Sequence, residues 1–248
     1  MPESPIKLLA QKAEKICVAY EGMERFFDKD KIILTGNPVR QGLLSKNISR
    51  EEAIRSFGLD PEKKTIHNRS EAAWDARTIN NCMMQGFDKI KESGVQFIWQ
   101  TGKIYINEAK QAVKAYGELP MLHVTDFISD MAAAYSAADV VISRAGAGSI
   151  SEFCLLGKPV ILVPSPNVAE DHQTKNALAL VNKNAALYIK DSEATQKLLD
   201  TAIETVHKPD LLKELSNNIT KLAIKDSANI IAKEVCKLAL KYKESHEH

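Results

Sequence analysis

The segment from Asp139 to Pro164 constrains the fold more strongly than any other part of this sequence. Residues 139–143 are an apolar run that is too short for a helix and is bounded by a charge and by turn residues, which predicts a strand covered on both faces. A stretch of helical character that stops at Gly157 follows, and then a second apolar run, residues 158–164. A strand, a helix and a strand within about thirty residues predict two parallel strands joined by a right-handed crossover.

The turn between the first strand and the helix contains only small residues. Residues 145–148 read Ala-Gly-Ala-Gly, so backbone amides can approach a ligand closely, and Gly146 and Gly148 can adopt positive φ. Ser149 and Glu152 have the spacing of a capping box, which predicts that the helix begins with Ser149 as its N-cap. The free N–H groups and the dipole of such a helix end attract phosphate. Tight packing of the strand against the helix gives the same pattern, so phosphate binding and simple packing both stay open.

The composition indicates a globular protein without a global charge field. The chain has 248 residues, 44% of them hydrophobic, which is enough to bury at least one substantial core. Its 33 basic and 32 acidic residues give a formal net charge of +1, so no overall field recruits nucleic acid or an anionic membrane. The four cysteines lie far apart and form no CxxC pair, which argues against a zinc knuckle and for a reducing compartment. We find no signal-peptide pattern and no apolar run long enough for a membrane span, and we expect a cytosolic or membrane-peripheral protein.

Strands and helices alternate along the chain, which predicts an α/β fold built on a doubly wound parallel sheet. In such a sheet the ligand lies outside the carboxyl ends of the strands, and the small-residue turn lies at such an end. The glycine and the Asn-Pro pair of residues 36–40 are strong breakers and predict a domain joint. The predicted strands are 15–20, 31–35, 95–100, 121–125, 139–143 and 158–164. The predicted helices are 6–14, 22–27, 49–58, 78–92, 106–116, 130–138, 149–157, 171–182, 195–206, 210–222 and 226–242.

The last predicted helix, residues 226–242, is amphipathic, with lysines interspersed among its apolar residues. Such a helix can lie on a membrane surface, or it can dock on its own protein with the lysines in water. Docking is the more frequent arrangement and is the prediction. The sequence contains no internal repeat and no low-complexity tract.

Three segments carry a family resemblance when they are taken together: Thr35–Arg40 (TGNPVR), Arg144–Glu152 (RAGAGSISE) and Pro164–Ala177 (PSPNVAEDHQTKNA). They resemble the bacterial N-acetylglucosaminyltransferases that convert lipid I to lipid II in peptidoglycan synthesis. Residues 16–24 and 126–135 extend the similarity over nearly the whole chain. Each segment alone is unspecific, but their combination is specific.

The resemblance implies a two-domain GT-B fold whose second domain binds UDP-N-acetylglucosamine, and most of this chain corresponds to that donor domain. Residues 1–37 are then expected to be the remnant of the N-terminal acceptor domain, residues 38–225 the donor domain, and residues 226–248 a docking helix and tail. The implied activity is an inverting transfer to lipid I at the cytoplasmic face of the inner membrane. The resemblance implies no metal, no cofactor and no nucleic acid partner.

The resemblance also implies roles for particular residues of the donor site. Arg40 would lie at the domain joint near the donor, and the backbone of Ile128 would meet the uracil. Glu152 would accept hydrogen bonds from the ribose hydroxyls, and Gln173 would form hydrogen bonds with hydroxyls of the sugar. The diphosphate and ribose would be held by one run of residues: Ala147, Gly148, Ser149, Ile150, Ser151 and Glu152.

Several of these residues also have a structural interpretation. Arg40 can be a surface ion-pair partner, the side chain of Ile128 can be simple core, and Gln173 can be an exposed helix residue. His172 is interpreted as a solvated histidine of a first helical turn, because the family's base is expected on the acceptor domain. His123 lies in an apolar strand pattern and is interpreted as structural.

The chain departs from the family in two places, and the first is the acceptor domain. Family members begin with a whole domain that includes a Gly-rich loop and a histidine, which help to bind the acceptor and supply the base. Only its last elements correspond to residues 1–37, so the chain is interpreted as a fragment or as the product of an internal start. We expect it to bind the UDP-sugar weakly at best and to transfer nothing by itself.

The second departure lies between Thr65 and Arg77. The family has an apolar strand there and then a glycine-rich turn, whereas residues 67–75 of this chain read HNRSEAAWD. Ala73 falls where the family has a donor-binding serine, so no contact is carried over to it, and Ser70 is at best an accidental substitute. A pair of compensating reading-frame slips would produce such a change, which inspection of the coding DNA can test.

This altered segment has physical consequences for the central strand. Burial of Asn68, Arg69 and Glu71 costs free energy unless each finds a partner. We therefore expect a strained or disordered loop, or an early helix over residues 71–75, and locally weakened sheet order.

Two other functions stay open. A non-catalytic UDP-sugar-binding module would bind UDP without turnover, and a UDP-N-acetylglucosamine 2-epimerase of similar fold would turn over the free nucleotide sugar without an acceptor. The epimerase also requires acidic catalytic residues and a histidine around the sugar, which the sequence does not identify. Binding of NADH instead of UDP would indicate a dehydrogenase-like half, and binding of neither would indicate a remnant without function.

Overall fold

The computed structural model describes residues 5–20, 22–45, 47–70, 76–168 and 171–246. Its helices are α1 (Pro5–Lys12), α2 (Gln41–Ser45), α3 (Arg50–Ser56), α4 (Arg77–Gln85), α5 (Phe87–Glu92), α6 (Ile106–Tyr116), α7 (Met131–Ala137), α8 (Ala147–Leu156), α9 (His172–Val181), α10 (Asp191–Val206), α11 (Pro209–Thr220) and α12 (Ser227–His246). Its strands are β1 (Ile16–Val18), β2 (Ile32–Leu34), β3 (Thr65–Arg69), β4 (Gln96–Gln100), β5 (Leu122–Thr125), β6 (Val140–Ser143), β7 (Val160–Leu162) and β8 (Leu187–Tyr188).

The chain divides into two compact units. Unit 1 contains Met1–Val39 and Ala223–His248, and unit 2 contains Arg40–Leu222. In unit 1, β1 and β2 pair in parallel, with Ile16 opposite Ile32. None of the helices in the described part of the chain has the length and the apolar content that a membrane crossing requires.

Unit 2 is built on six parallel strands in the order β5-β4-β3-β6-β7-β8, which confirms the predicted doubly wound sheet. The strand order reverses between β3 and β6, because the chain moves outward to β5 on one side and to β8 on the other. Such a reversal is the switch point at which open α/β sheets bind ligands, at the carboxyl ends of the strands. The two-residue strand β8 was not predicted, because two residues carry no periodicity.

The four inner strands β4, β3, β6 and β7 are buried along their whole length. Trp99 of β4 is fully buried, and its indole N–H donates to Asn80 Oδ1 at 2.8 Å. Asn80 Nδ2 donates in turn to the Thr101 carbonyl at 2.9 Å. This chain of hydrogen bonds ties α4 to β4 and satisfies the buried side-chain polar groups of Trp99 and Asn80.

Two of the helix predictions had opposite outcomes. The helix predicted over residues 49–58 is confirmed as α3, and a capping box begins it: Ser49 Oγ accepts from the Glu52 N–H at 3.2 Å and Glu52 Oε2 accepts from the Ser49 N–H at 3.1 Å. The single helix predicted over residues 78–92 is divided into α4 and α5 at Gly86. A side chain at Gly86 would meet Leu199 Cδ1 at 1.9 Å, so the glycine lets α10 pack closely here.

The prediction of weakened sheet order is wrong for residues 67–69. They complete β3 and pair in parallel with β4 on one side and with β6 on the other. Both neighbours supply backbone partners along the strand, and the buried backbone needs these partners whatever the side chains are. The loop or early helix expected over residues 71–75 lies outside the described residues.

Gly157 ends α8 in the left-handed conformation, with a φ of 62°. A Cβ atom there would lie 2.7 Å from Thr220 Oγ1 and 3.3 Å from Ser216 Oγ. We expect Gly157→Ala to lower the free energy of unfolding by about 2 kcal/mol, roughly half from the backbone conformation and half from the steric contact. Urea denaturation measures this loss. Gly58→Ala is the matched control, because Gly58 has a φ of 70° and open space around it. Equal losses in the two variants would contradict the steric explanation.

Candidate functional site

The candidate site lies at the switch point, where β3 ends at Arg69 and β6 ends at Ser143. Residues 144–146 leave β6 and lead directly into α8, which begins at Ala147. This short connection places the N-terminus of α8 at the carboxyl edge of the sheet, as the sequence predicts.

The predicted start of this helix is wrong. The helix begins at Ala147 with Gly146 as its N-cap, and a glycine has no side chain with which to cap the helix. Ser149 and Glu152 therefore form no capping box, because both lie inside the helix and the Glu152 carboxylate bonds to buried side chains instead. Gly146 has a φ of −68° and Gly148 is helical, so neither uses the left-handed region.

The backbone at this helix end is accessible. Gly148 is exposed, and a Cβ atom there would meet no atom of the described residues within 4 Å, while Ala147 and Ser149 are half-buried. The first N–H groups of an α-helix have no intrahelical acceptor, and together with the helix dipole they attract an anion. The next two side chains have other roles. Ile150 belongs to the core, and Ser151 Oγ donates to the Ala147 carbonyl at 3.0 Å.

Glu152 is 7% exposed and lies among three donors. Its Oε2 accepts from Arg69 Nη1 at 2.7 Å and from the Tyr135 hydroxyl at 2.7 Å. Arg69 also donates to the Tyr135 hydroxyl oxygen. Arg40 faces the other carboxylate oxygen, with 3.5 Å between its Nη2 and Oε1, and its side chain is 58% exposed. Oε2 of Glu152 is therefore bonded to two buried side chains, whereas the partner of Oε1, Arg40, is exposed.

Gln173 bridges two loops beside the helix end. Its Oε1 accepts from the Ala145 N–H at 3.2 Å and from the Ser165 N–H at 2.9 Å. Asn176, one turn later in α9, donates to the Ala145 carbonyl at 3.1 Å. Gln173 is buried, so its interpretation as an exposed helix residue is wrong. Within the described part of the chain its Nε2 group has no acceptor, which leaves two N–H donors for a ligand.

Ile128 lies in the loop between β5 and α7. Its side chain is buried, which agrees with the core interpretation, and the neighbouring Phe127 is 60% exposed. The backbone N–H and C=O of Ile128 make no hydrogen bond to any described residue. An adjacent donor and acceptor of this kind can match the amide-like edge of a pyrimidine.

The altered strand β3 brings polar atoms into the core. His67 Nδ1 lies 3.2 Å from the Ile98 carbonyl, but His67 Nε2, Asn68 Nδ2 and Gln100 Oε1 have no hydrogen-bond partner among the described residues. Burial lowers the pKa of His67 to about 3, the bond to Ile98 opposes this, and the charge of Arg69 lowers it further. The imidazole is therefore neutral at pH 7, and its burial lowers the free energy of unfolding.

The other histidines that the sequence singled out agree with their predictions. His172 lies exposed in the first turn of α9. His123 of β5 meets the ring of Phe57 edge-on, with centroids 5.2 Å apart, and burial lowers its pKa. The four cysteines are free thiols, two of them buried and two exposed.

Sequence analysis missed Arg69 and Tyr135 as partners of Glu152. It treated Arg69 as a buried charge in need of a partner and did not name one. Two features of the sequence bear on this pair. Successive side chains of a strand lie on opposite faces of the sheet, so Arg69 and Asn68 lie on different faces, and Glu152 follows β6, the strand next to β3. They identify the pair only when the strand order is known.

Comparison with known proteins identifies the family. Residues 74–233 match the glycosyltransferase family 28 C-terminal domain. The chain is 77% identical over 240 residues to the UDP-N-acetylglucosamine--N-acetylmuramyl-(pentapeptide) pyrophosphoryl-undecaprenol N-acetylglucosamine transferase of Phocaeicola vulgatus, and the match covers 97% of this chain and 64% of that protein. The Bacteroides fragilis protein of the same name is 68% identical over 234 residues, which cover 94% of this chain and 61% of that protein. The chain thus spans less than two thirds of the length of these relatives.

Solved structures share the fold. The crystal structure of Acinetobacter baumannii MurG gives a TM-score of 0.69 at 24% identity and covers 93% of this chain and 63% of that chain. The UDP-GlcNAc 2-epimerase from Neisseria meningitidis, solved with bound UDP-GlcNAc, gives a TM-score of 0.68 at 15% identity and covers 93% of this chain and 63% of that chain. These likenesses confirm the GT-B type of fold. Because the family match extends over more than half of the sequence, the chain belongs to glycosyltransferase family 28, whose C-terminal domain it contains.

Proposed function

We propose that this chain is the donor-binding part of an inverting transferase, which moves N-acetylglucosamine from UDP-N-acetylglucosamine to lipid I and so forms lipid II in peptidoglycan synthesis. The observation that carries the proposal is the accessible N-terminus of α8, with a glycine as its N-cap, at the switch point of the sheet. A diphosphate matches backbone amides and a helix dipole at such a position. Family membership and the 77% identity to the Phocaeicola vulgatus transferase support the same function.

Within this proposal residues 38–225 form the donor domain. The backbone of Ile128 pairs with the edge of uracil, and residues 147–151 hold the diphosphate. Glu152 accepts from a ribose hydroxyl, and Gln173 donates from its Nε2 group to a hydroxyl of the sugar. Arg40 lies next to Glu152, on the exposed side of its carboxylate. Three observations support these roles: the helix end is accessible, and within the described residues neither the backbone of Ile128 nor Nε2 of Gln173 has a hydrogen-bond partner.

The proposed chemistry concerns the leaving group. The acceptor hydroxyl oxygen attacks the anomeric carbon, the bond from that carbon to the diphosphate oxygen breaks, and UDP departs with the electron pair. Amides at the start of α8 stabilise the charge that develops on the diphosphate. The base that takes the acceptor proton lies outside residues 38–225. Because lipid I is a membrane lipid, the reaction takes place with the protein peripheral on the cytoplasmic face of the membrane.

Gly148→Asp tests the diphosphate site with a single charge. A Cβ atom at Gly148 has no atom of the described part of the chain within 4 Å, and an aspartate is favourable in a first helical turn, so the variant should fold. We expect its affinity for UDP, measured by calorimetry, to fall at least about tenfold because the carboxylate repels the diphosphate. Gly148→Asn is the uncharged control of nearly the same shape and should keep its affinity within about threefold. Equal affinities of the two variants for UDP would show that the diphosphate does not bind at this helix end.

Transfer is tested by adding, as a separate polypeptide, the part of the Phocaeicola vulgatus transferase that precedes the matched region. With UDP-N-acetylglucosamine and lipid I we expect the mixture to form lipid II and the chain alone to form none. A chain that binds UDP but transfers nothing in the mixture would instead be a binding module. Turnover of the nucleotide sugar without an acceptor would indicate an epimerase.

A further inference from the structure

We propose that Arg69 and Tyr135 leave Glu152 a single position for a ligand, and so decide how many ribose hydroxyls this site can recognise. The inference deepens the proposed function and rests on it, because Glu152 is the residue that meets the ribose. It is carried by the cluster that the three side chains form where β3 ends, beside α7 and α8.

The acceptor positions of Glu152 can be counted. A carboxylate offers about four of them, two on each oxygen. Arg69 Nη1 and the Tyr135 hydroxyl, both at 2.7 Å, fill the two positions on Oε2. Arg40 Nη2 lies at an ion-pair distance of 3.5 Å from Oε1, so its guanidinium stands on one side of that oxygen. One position on Oε1 therefore remains for a hydroxyl donor.

The two partners of Oε2 are fixed in place. Arg69 is 4% exposed, and its Cζ lies 5.6 Å from the ring centroid of Tyr135 and 5.9 Å from that of Phe153. A ligand that displaced this guanidinium would leave a buried charge without its carboxylate, which is strongly unfavourable. Two neighbouring ribose hydroxyls are best received by the two oxygens of a carboxylate, one each. With Oε2 filled, Glu152 receives only one of them.

The test compares UDP with 2′-deoxy-UDP and 3′-deoxy-UDP by calorimetric titration of the full chain. In the parent protein one of the two analogues should bind as tightly as UDP within about threefold, because the hydroxyl that it lacks has no acceptor. Tyr135→Phe removes one donor from Oε2 and keeps the ring. In this variant both analogues should bind at least about tenfold more weakly than UDP, since each hydroxyl now meets a carboxylate oxygen. Arg69→Met should give the same pattern.

Tyr116→Phe is the matched control. Its hydroxyl also donates to a carboxylate, Asp88 Oδ1 at 2.6 Å, but outside the cluster, so the parent pattern should persist. If Arg69→Met does not fold, Tyr135→Phe carries the test. UDP binding with the parent pattern in Tyr135→Phe overturns the inference and leaves the proposed function standing. Failure of every form to bind UDP overturns both.

A second measurement is independent of the nucleotide. In a double-mutant cycle of Arg69→Met and Glu152→Gln, the unfolding equilibrium constants should depart from multiplicative behaviour by about tenfold or more, because the two side chains are in contact. Multiplicative behaviour would show that the contact does not form, and would overturn the inference.

Discussion

Glu152→Ala should lower the free energy of unfolding by about 3–5 kcal/mol, the usual range when one partner of a buried ion pair is removed. Arg69 is 4% exposed and donates to the Glu152 carboxylate at 2.7 Å. Without that carboxylate the guanidinium keeps its charge, since an arginine is not deprotonated in proteins. The charge then stays in a poorly solvated place, and the folded state bears the cost. Urea denaturation at pH 7 measures the loss.

Arg40→Ala provides the comparison, because it removes another cation from the same carboxylate. The Arg40 side chain is 58% exposed and 3.5 Å from Oε1, so we expect a loss of no more than about 1 kcal/mol. The double replacement of Arg69 by Met and Glu152 by Leu should recover much of the loss of Glu152→Ala, because apolar pairs often replace buried ion pairs without penalty. Similar losses for Glu152→Ala and Arg40→Ala would show that the Arg69 pair is not the source.

The sequence predicts most of the sheet of unit 2, and the reason is periodicity. The predicted strand 95–100 and helix 106–116 correspond to β4 and α6, because a short run rich in β-branched and aromatic residues favours a strand and a longer amphipathic stretch favours a helix. β3 is the exception among the long strands. Its residues 67–69 are polar and do not predict a strand, yet they pair in parallel with β4 on one side and β6 on the other. Here tertiary pairing overrides local propensity.

The candidate site is less predictable because its contacts are distant in sequence. The Ser-x-x-Glu pattern at Ser149 relates two residues that are three positions apart, and it predicts that Glu152 caps its own helix. In the structure the carboxylate binds Arg69, which lies 83 residues earlier. A buried cation is a stronger partner for a carboxylate than a backbone N–H that water can reach. The place of the site follows from local sequence, whereas the partners inside it follow from the strand order.

Acid should destabilise this protein through His67. Burial lowers its pKa from 6.5 to about 3, so between these values the unfolded chain binds a proton that the folded chain does not. The stability is fully present above the unfolded pKa and is lost as the pH falls below it, by about 1.4 kcal/mol per pH unit. We expect this one histidine to remove about 3 kcal/mol between pH 7 and pH 4. Urea denaturation at several pH values measures the slope.

His67→Leu should flatten that slope and also stabilise the protein at pH 7. The Nε2 atom of His67 is buried and has no hydrogen-bond partner among the described residues, and leucine suits a strand that is covered on both faces. The contact of Nδ1 with the Ile98 carbonyl is lost, which offsets part of the gain, so we expect a net increase of about 1–2 kcal/mol. His207→Ala changes an exposed histidine at the end of α10 and should leave the slope as it is. If His67→Leu kept the full acid slope, the titration would have to arise in other groups, and the neutral buried imidazole would no longer explain it.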